Sequence, residues 1–293
     1  ATTEIYTLSL HDALPIWDPR VYSHAFKRGT SQMEKMICRQ GMADTSQAWI
    51  YYKESGRGTP ILMLHGNAET HLIFDYYEKK LSMKYRVILM DSRAHGRSRI
   101  KPEYAESEFT TTDMARDAAA LLDILHIRSC ILFGFSDGAN IALEFASLFP
   151  ERTQAVIAIS GNVSPDGLIL PVRAFCVGKY FCLKAATSLF RGICEKNPAA
   201  APILSCLFRH QQLASLLCNS PMMSREQLEN VQAPVLLIAG TRDLVKVSHS
   251  RLMARLIPRA QLVLIKGATH TSMFGRKAFY LKIIHDFLDK SQA

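Results

Sequence analysis

Residues Cys130–Asn140 read CILFGFSDGAN. An apolar run, Ile131–Phe133, is followed at once by Gly134-Phe135-Ser136-Asp137-Gly138, and Gly138 opens a stretch with helical spacing that continues to Phe149 and stops at Pro150. The pattern predicts a buried strand, a sharp turn and a helix. A serine on such a turn sits on a strained bend with its hydroxyl exposed. The flanking glycines are needed because larger side chains would collide there. The same five residues also fit a tight turn whose serine merely caps the helix, so the rest of the chain has to decide.

Outward from this stretch the pattern is regular. Trp49–Lys53 is a short β-prone run closed by the turn cluster SGRGTP, Ser55–Pro60. Apolar strands are predicted at Ile61–Leu64, Val87–Met90, Val156–Ile159, Val235–Ala239 and Leu262–Ile265. Helical spacing is found over Thr112–His126, over Val247–Ile257 before Pro258, and in an amphipathic tail, Arg276–Leu288. The strands are short, wholly apolar and separated by helices. They lack the polar alternation of a half-exposed sheet, which predicts an α/β fold: a doubly wound parallel sheet covered on both faces. The rhythm breaks between Ser160 and Val235. Two helix-like stretches lie there, LPVRAFCVGKYFCLKAATSLFRGICEK and PILSCLFRHQQLASLLC. Asn162–Asn230 is therefore expected to be a helical insertion, a cap, on a core formed by residues 42–161 and 231–293. Its large side chains, among them Phe175, Tyr180, Phe181, Phe208 and Met222, are candidates to line an apolar cavity, although most are expected simply to fill the cap.

A chain of 293 residues, 48% of them hydrophobic, can bury a sizeable core without disulfides. The seven cysteines are odd in number, contain no CxxC pair and follow no secretory signal, so reduced thiols in a cytoplasmic protein are expected and a zinc site is not. No apolar stretch has the eighteen or so residues of a membrane helix, and no membrane partner is expected. The net charge of +9 is scattered, with one local cluster, RAHGRSRIK at Arg93–Lys101. Nucleic-acid binding calls for a basic stripe interleaved with aromatics, and none is found. A preference for anionic substrates or surfaces stays open.

A serine hydroxyl is a poor nucleophile at neutral pH. It needs an imidazole base, and the base needs an acid to hold its tautomer. His270, in Gly267-Ala268-Thr269-His270, follows the last strand, on the side where ligand sites of parallel sheets open. His126 and His285 lie in helices, His249 lies in the helix after Asp243, and His210 lies in the insertion; these read as ordinary structural or surface histidines. Asp243, in GTRD, also lies just past a buried strand; the bland reading is a turn aspartate capping the next helix. The candidate catalytic set is Ser136, Asp243 and His270, in that chain order. An acyl-transfer site also needs two N–H donors for the oxyanion. The backbone N–H groups of Asn67, in LHGN after the strand ending at Leu64, and of Asp137 are the candidates, with His65 expected to brace that loop. No metal or organic cofactor is implied, and the expected partner is a small-molecule acyl substrate.

Taken together, LHGNAE, DSRAHGRS, GFSDGA, GTRD and GATH resemble the α/β-hydrolase superfamily, from about Trp49 to the C-terminus. The resemblance implies a mostly parallel eight-stranded sheet flanked by helices, with a cap between the sixth and seventh strands. Ala94 stands where many relatives have glycine. Relatives that open epoxides or remove halide use an aspartate nucleophile, and dienelactone hydrolases a cysteine. Ser136 therefore implies hydrolysis of an ester, thioester, lactone or amide, in the manner of a carboxylesterase. The rivals are an acyltransferase or C–C bond hydrolase on the same triad and, in a different class, a non-catalytic receptor of the same fold. The SDG step resembles the biphenyl-hydrolase-like group, which includes hydrolases of amino-acid esters, with Ala139 in place of that group's second glycine. Asp137 is thus a candidate partner for a substrate ammonium; the alternative is a carboxylate that favours its own helix N-terminus.

The N-terminus reads differently. Ala1–Ile16, ATTEIYTLSLHDALPI, back-translates without mismatch into part of a common short-read sequencing adapter. These residues are expected to be an artefact of an untrimmed metagenomic read, to be set aside from fold reasoning. Residues 17–41 form an upstream segment of uncertain status, with Met33, Met36 and Met42 as candidate starts. Residues 1–32 are expected to lack specific packing.

Overall fold

The computed structural model describes residues 38–291, so the expectation for residues 1–32 falls outside the described residues. The strands are β1 (Cys38–Asp44), β2 (Ala48–Ser55), β3 (Pro60–Leu64), β4 (Arg86–Met90), the two-residue β5 (Arg99–Ile100), β6 (Cys130–Phe135), β7 (Thr153–Ile159), β8 (Val235–Arg242) and β9 (Ala260–Thr269). They form one sheet in the order β1-β2-β4-β3-β6-β7-β8-β9, with β5 on the edge of β2. β1, β2 and β5 run antiparallel to their neighbours, and every pairing from β4 to β9 is parallel. This is the expected α/β-hydrolase sheet of eight strands, plus the short β5. Cys38–Gly41, left in the upstream segment by sequence reading, belong to β1 and pair with Tyr52–Ser55. β1 is a mostly exposed, polar edge strand, and so it lacks the apolar run that marks the others.

The central strands are apolar on both faces because both faces are covered. On β3, Leu62 and Leu64 enter one core with helices α2 (Thr111–Ile124) and α3 (Asp137–Leu148), while Ile61 and Met63 enter the other with α1 (Asp75–Leu81) and α9 (Lys277–Ser291). Successive side chains of a strand point to opposite faces, so two cores require continuous apolar runs. The basic cluster is absorbed at the antiparallel edge. Arg93 Nε donates to buried Asp117 Oδ2 at 2.6 Å, the Arg97 guanidinium lies 4.0 Å from the Tyr51 ring centroid, and Lys101 Nζ meets Asp44 Oδ1 at 2.8 Å. Ala94 adopts φ +61°, a conformation that costs a non-glycine residue about 1 kcal/mol, which is the physical reason glycine suits this turn.

Between β7 and β8 the chain leaves the sheet to form α4 (Leu170–Lys196), α5 (Ala201–Asn219) and the short α6 (Arg225–Glu229). The first two coincide with the helix-like stretches read from the sequence and form the helical cap. It is tied to the loop before α2: Tyr180 Oη and Ser215 Oγ donate to the two oxygens of Glu108, and Gln212 Nε2 donates to the carbonyls of Ala105 and Ser107. α7 (Val247–Leu256) follows β8, and α8 (Ser272–Gly275) follows β9.

The turn between β6 and α3 is the tightest point of the fold. A Cβ on Gly138 would lie 1.8 Å from the Leu64 carbonyl oxygen, and one on Gly134 would lie 2.1 Å from the Gly138 carbonyl oxygen. Both are backbone contacts that no rotamer change relieves. Gly138→Ala is expected to destabilise the protein by about 3 kcal/mol or more. The check is the urea midpoint at unchanged m-value; a midpoint within error of the parent would contradict the close approach.

Candidate active site

Ser136 stands between β6 and α3 with φ +53° and ψ −121°. Such a backbone stores about 1–3 kcal/mol and persists only where its surroundings over-determine it. Here its N–H donates to the Ile159 carbonyl at 2.9 Å, and its own carbonyl accepts from the N–H groups of Ala139 and Asn140. These bonds aim Oγ out of the C-terminal edge of the sheet.

β8 and β9 deliver the two partners. His270 follows β9, and its Nδ1–H donates to Asp243 Oδ1 at 2.7 Å. Its Nε2 is then left to accept from the Ser136 hydroxyl at 3.0 Å. The ring lies 5.2 Å from that of Phe135, which packs beneath it. Asp243 follows β8 and its side chain is completely buried. Burial alone would push its carboxyl up, but the hydrogen bond and charge of His270, the Ser160 hydroxyl at 2.6 Å and the Val245 N–H hold it below the ordinary carboxylate range. Ser160, at the end of β7 with φ +56°, is a site residue that sequence reading passed over. Its only signal is a polar residue at the C-terminal end of an apolar strand.

The loop after β3 runs beside the serine: a Cβ on Gly66 would lie 3.1 Å from Ser136 Cβ. His65 braces this loop. Its Nδ1–H donates to the Gly66 carbonyl at 2.8 Å and its Nε2 accepts from Ser92 N–H at 3.0 Å. Burial lowers its pKa and favours that neutral tautomer. Asn67 Nδ2 donates both to Asp137 Oδ2 and to the Leu213 carbonyl of α5, each at 3.0 Å. Its side chain therefore links the loop, the helix after the serine and the cap. Asp137 N–H opens α3, where N–H groups have no intrahelical acceptor.

The Asp137 carboxyl is buried, and burial pushes its pKa up against the Asn67 hydrogen bond. Its other oxygen accepts from Asn140 Nδ2 at 3.2 Å, and Asn140 is in turn bound to Asn162. Glu69 is a second carboxyl that sequence reading did not single out. Its Oε2 accepts from Gly66 N–H at 3.0 Å, and burial raises its pKa although the Gly66 bond and the nearby His270 oppose this. Of the cap residues, Tyr180 and Phe208 are buried, whereas Phe175, Phe181 and Met222 are exposed to solvent. Met222 lies between α5 and α6; for Phe175 and Phe181 the helical spacing identified α4 but carried no information about which side it buries. Among the described residues no group of three or more His, Cys, Asp or Glu is placed to hold a metal ion, and no helix is long and apolar enough to cross a membrane.

The chain has known relatives and the fold known counterparts. Residues 59–174 match the family described as alpha/beta hydrolase fold. A protein of Pseudomonas syringae pv. syringae (strain B728a) that carries the name RutD, for carbamate hydrolase, is 30% identical over 226 residues, covering 71% of this chain and 85% of its own. The 2-(acetamidomethylene)succinate hydrolase of Mesorhizobium japonicum is 26% identical, with 84% and 94% covered. Among solved structures, a thermophilic esterase from Thermogutta terrifontis superimposes with a TM-score of 0.66 at 22% identity, over 87% of this chain and all of the other. Fold and kinship agree, and the chain belongs to the α/β-hydrolase family.

Proposed function

We propose that this chain is a serine hydrolase that cleaves a small ester, thioester, lactone or amide through an acyl-enzyme intermediate. The observation that carries the reading is the continuous hydrogen-bonded line from Ser136 Oγ through His270 to the buried Asp243 carboxylate. Ser136 Oγ attacks the carbonyl carbon as His270 Nε2 takes its proton. Asp243 holds the ring and stabilises the imidazolium. The oxyanion rests on the N–H groups of Asn67 and Asp137. His270 then protonates the leaving group, and water, deprotonated by the same nitrogen, releases the acid. The relatives named for hydrolysis of a carbamate, an N-acyl compound and an ester belong to the same broad reaction class. The seven cysteines are free thiols, which suits the cytoplasm.

The hydrogen bonds of Asp137 favour bracing over recognition. Both of its oxygens already accept from amide donors, Asn67 and Asn140, and the residue is buried, so a substrate ammonium has little open access to it. A phenylalanine ester and its des-amino counterpart are accordingly expected to be cleaved with a kcat/KM ratio within about threefold of one, and a fluorophosphonate is expected to label Ser136. A ratio well above ten would make Asp137 a recognition residue and the enzyme an amino-ester hydrolase. Absence of labelling would favour the receptor reading, while labelling without ester cleavage would favour the acyltransferase or C–C hydrolase.

A further inference from the structure

We propose that the outer face of α4 is a docking surface for an anionic lipid membrane, on which the helix lies in the headgroup plane. Along α4 one stripe, with Cys176, Tyr180 and Thr187 at its centre, is buried. A helix that buries one stripe normally carries polar residues opposite to it. On α4 the opposite side carries Leu170, Phe175, Phe181, Leu189 and Ile193, with Phe175 70%, Phe181 61% and Leu189 69% exposed. Small residues, Ala174, Gly178, Ala185 and Gly192, lie between them. The side turned to water is therefore largely apolar from Leu170 to Ile193, with Lys196 at its C-terminal end.

Charge selects the occupant. At 3.6 residues per turn, Arg173, Lys184 and Arg191 fall along one border of this apolar side and Lys179 along the other. No acidic residue occurs between Asp166 and Glu195. The carboxylates of Asp166 and Glu106 offset the charge of Arg173 and Arg191, so the border charge left for anionic headgroups rests mainly on Lys179 and on Lys184, whose Nζ reaches the Tyr180 hydroxyl. A long helix with aromatic and aliphatic residues on one side and cations at its borders binds the interface by apolar burial together with attraction to anionic lipid. A second copy of this chain fits less well, because two such faces brought together set cations against cations in a protein that already carries +9. The helix would rest on the bilayer without crossing it, since no described helix is long and apolar enough to span; this departs from the sequence expectation of no membrane partner, which rested on spanning length alone.

The test is flotation of the full chain with vesicles of phosphatidylcholine alone and of phosphatidylcholine mixed with phosphatidylglycerol. The protein is expected to float with the anionic vesicles. Partitioning should fall about tenfold or more with neutral vesicles, with raised salt, with Phe175→Ser, Phe181→Ser and Leu189→Ser combined, and with Lys179→Glu and Lys184→Gln combined. All five positions are exposed and a glutamine amide can keep the contact of Lys184 with the Tyr180 hydroxyl, so the thermal midpoint of each variant is expected to match the parent. Three results would overturn the proposal: no flotation with anionic vesicles, flotation unaltered in both variants, or a lipid-free dimer that the serine variant dissolves, which would make this face a contact between copies.

Discussion

Ser136→Ala is expected to lower kcat for an ester substrate by about a millionfold, to the residual rate that an oxyanion site and substrate binding sustain by themselves. The substitution removes one oxygen and leaves the fold alone. The strained backbone at φ +53° is held by main-chain bonds to Ile159, Ala139 and Asn140, none of which involves Oγ. The urea midpoint should therefore stay with the parent while turnover collapses. Removing His270 as well should cost almost nothing more, because base and nucleophile act as one unit. Initial rates normalised by fluorophosphonate titration of the parent provide the check. Retention of even one per cent of parental kcat would mean that another group is the nucleophile.

Asp243→Asn is expected to cost about ten-thousandfold in kcat with little change in fold. The side chain is completely buried and the substitution is nearly isosteric, so packing is preserved. What changes is the polarity of its contacts. Asp243 Oδ1 accepts from His270 Nδ1–H and from Val245 N–H, and Oδ2 accepts from the Ser160 hydroxyl and, at 3.5 Å, from Gly240 N–H. An amide has one acceptor oxygen. If its NH2 faces His270, the imidazole must carry its proton on Nε2 and can no longer accept from Ser136. If the NH2 faces Ser160, the tautomer survives but the negative charge that stabilises the imidazolium is gone. Crystal structures would show an unmoved triad in either case. A loss of less than tenfold at neutral pH would show that Asp243 does not act on His270.

Much of this site was legible from local sequence because its parts sit at the ends of buried strands. Ser136, Asp243 and His270 each lie within about five residues of the end of an apolar run, and the geometry at Gly134 and Gly138 is the crowding that the G-x-S-x-G pattern implies. Ser160 and Glu69 were not legible. Each is a single polar residue outside any motif, and each matters only for what the fold sets beside it, Asp243 in one case and Gly66 in the other. β1 was missed because an exposed edge strand such as CRQGMAD has no reason to be apolar.

By itself, the sequence determined the alternation of buried strands and helices, hence a mostly parallel sheet covered on both sides, the chain order of the candidate triad and the extent of the two cap helices. These follow from periodicity within about fifteen residues, the range over which backbone geometry governs side-chain direction. Tertiary structure alone decided that Asn67 and Asn140 grip the Asp137 carboxyl, that Ser160 supports Asp243, and which side of α4 is buried. Asn67 and Asp137 lie 70 positions apart, and Ser160 and Asp243 lie 83 apart. Only sheet order sets such distant residues side by side, and a helix apolar on both sides gives no local clue to the one it buries.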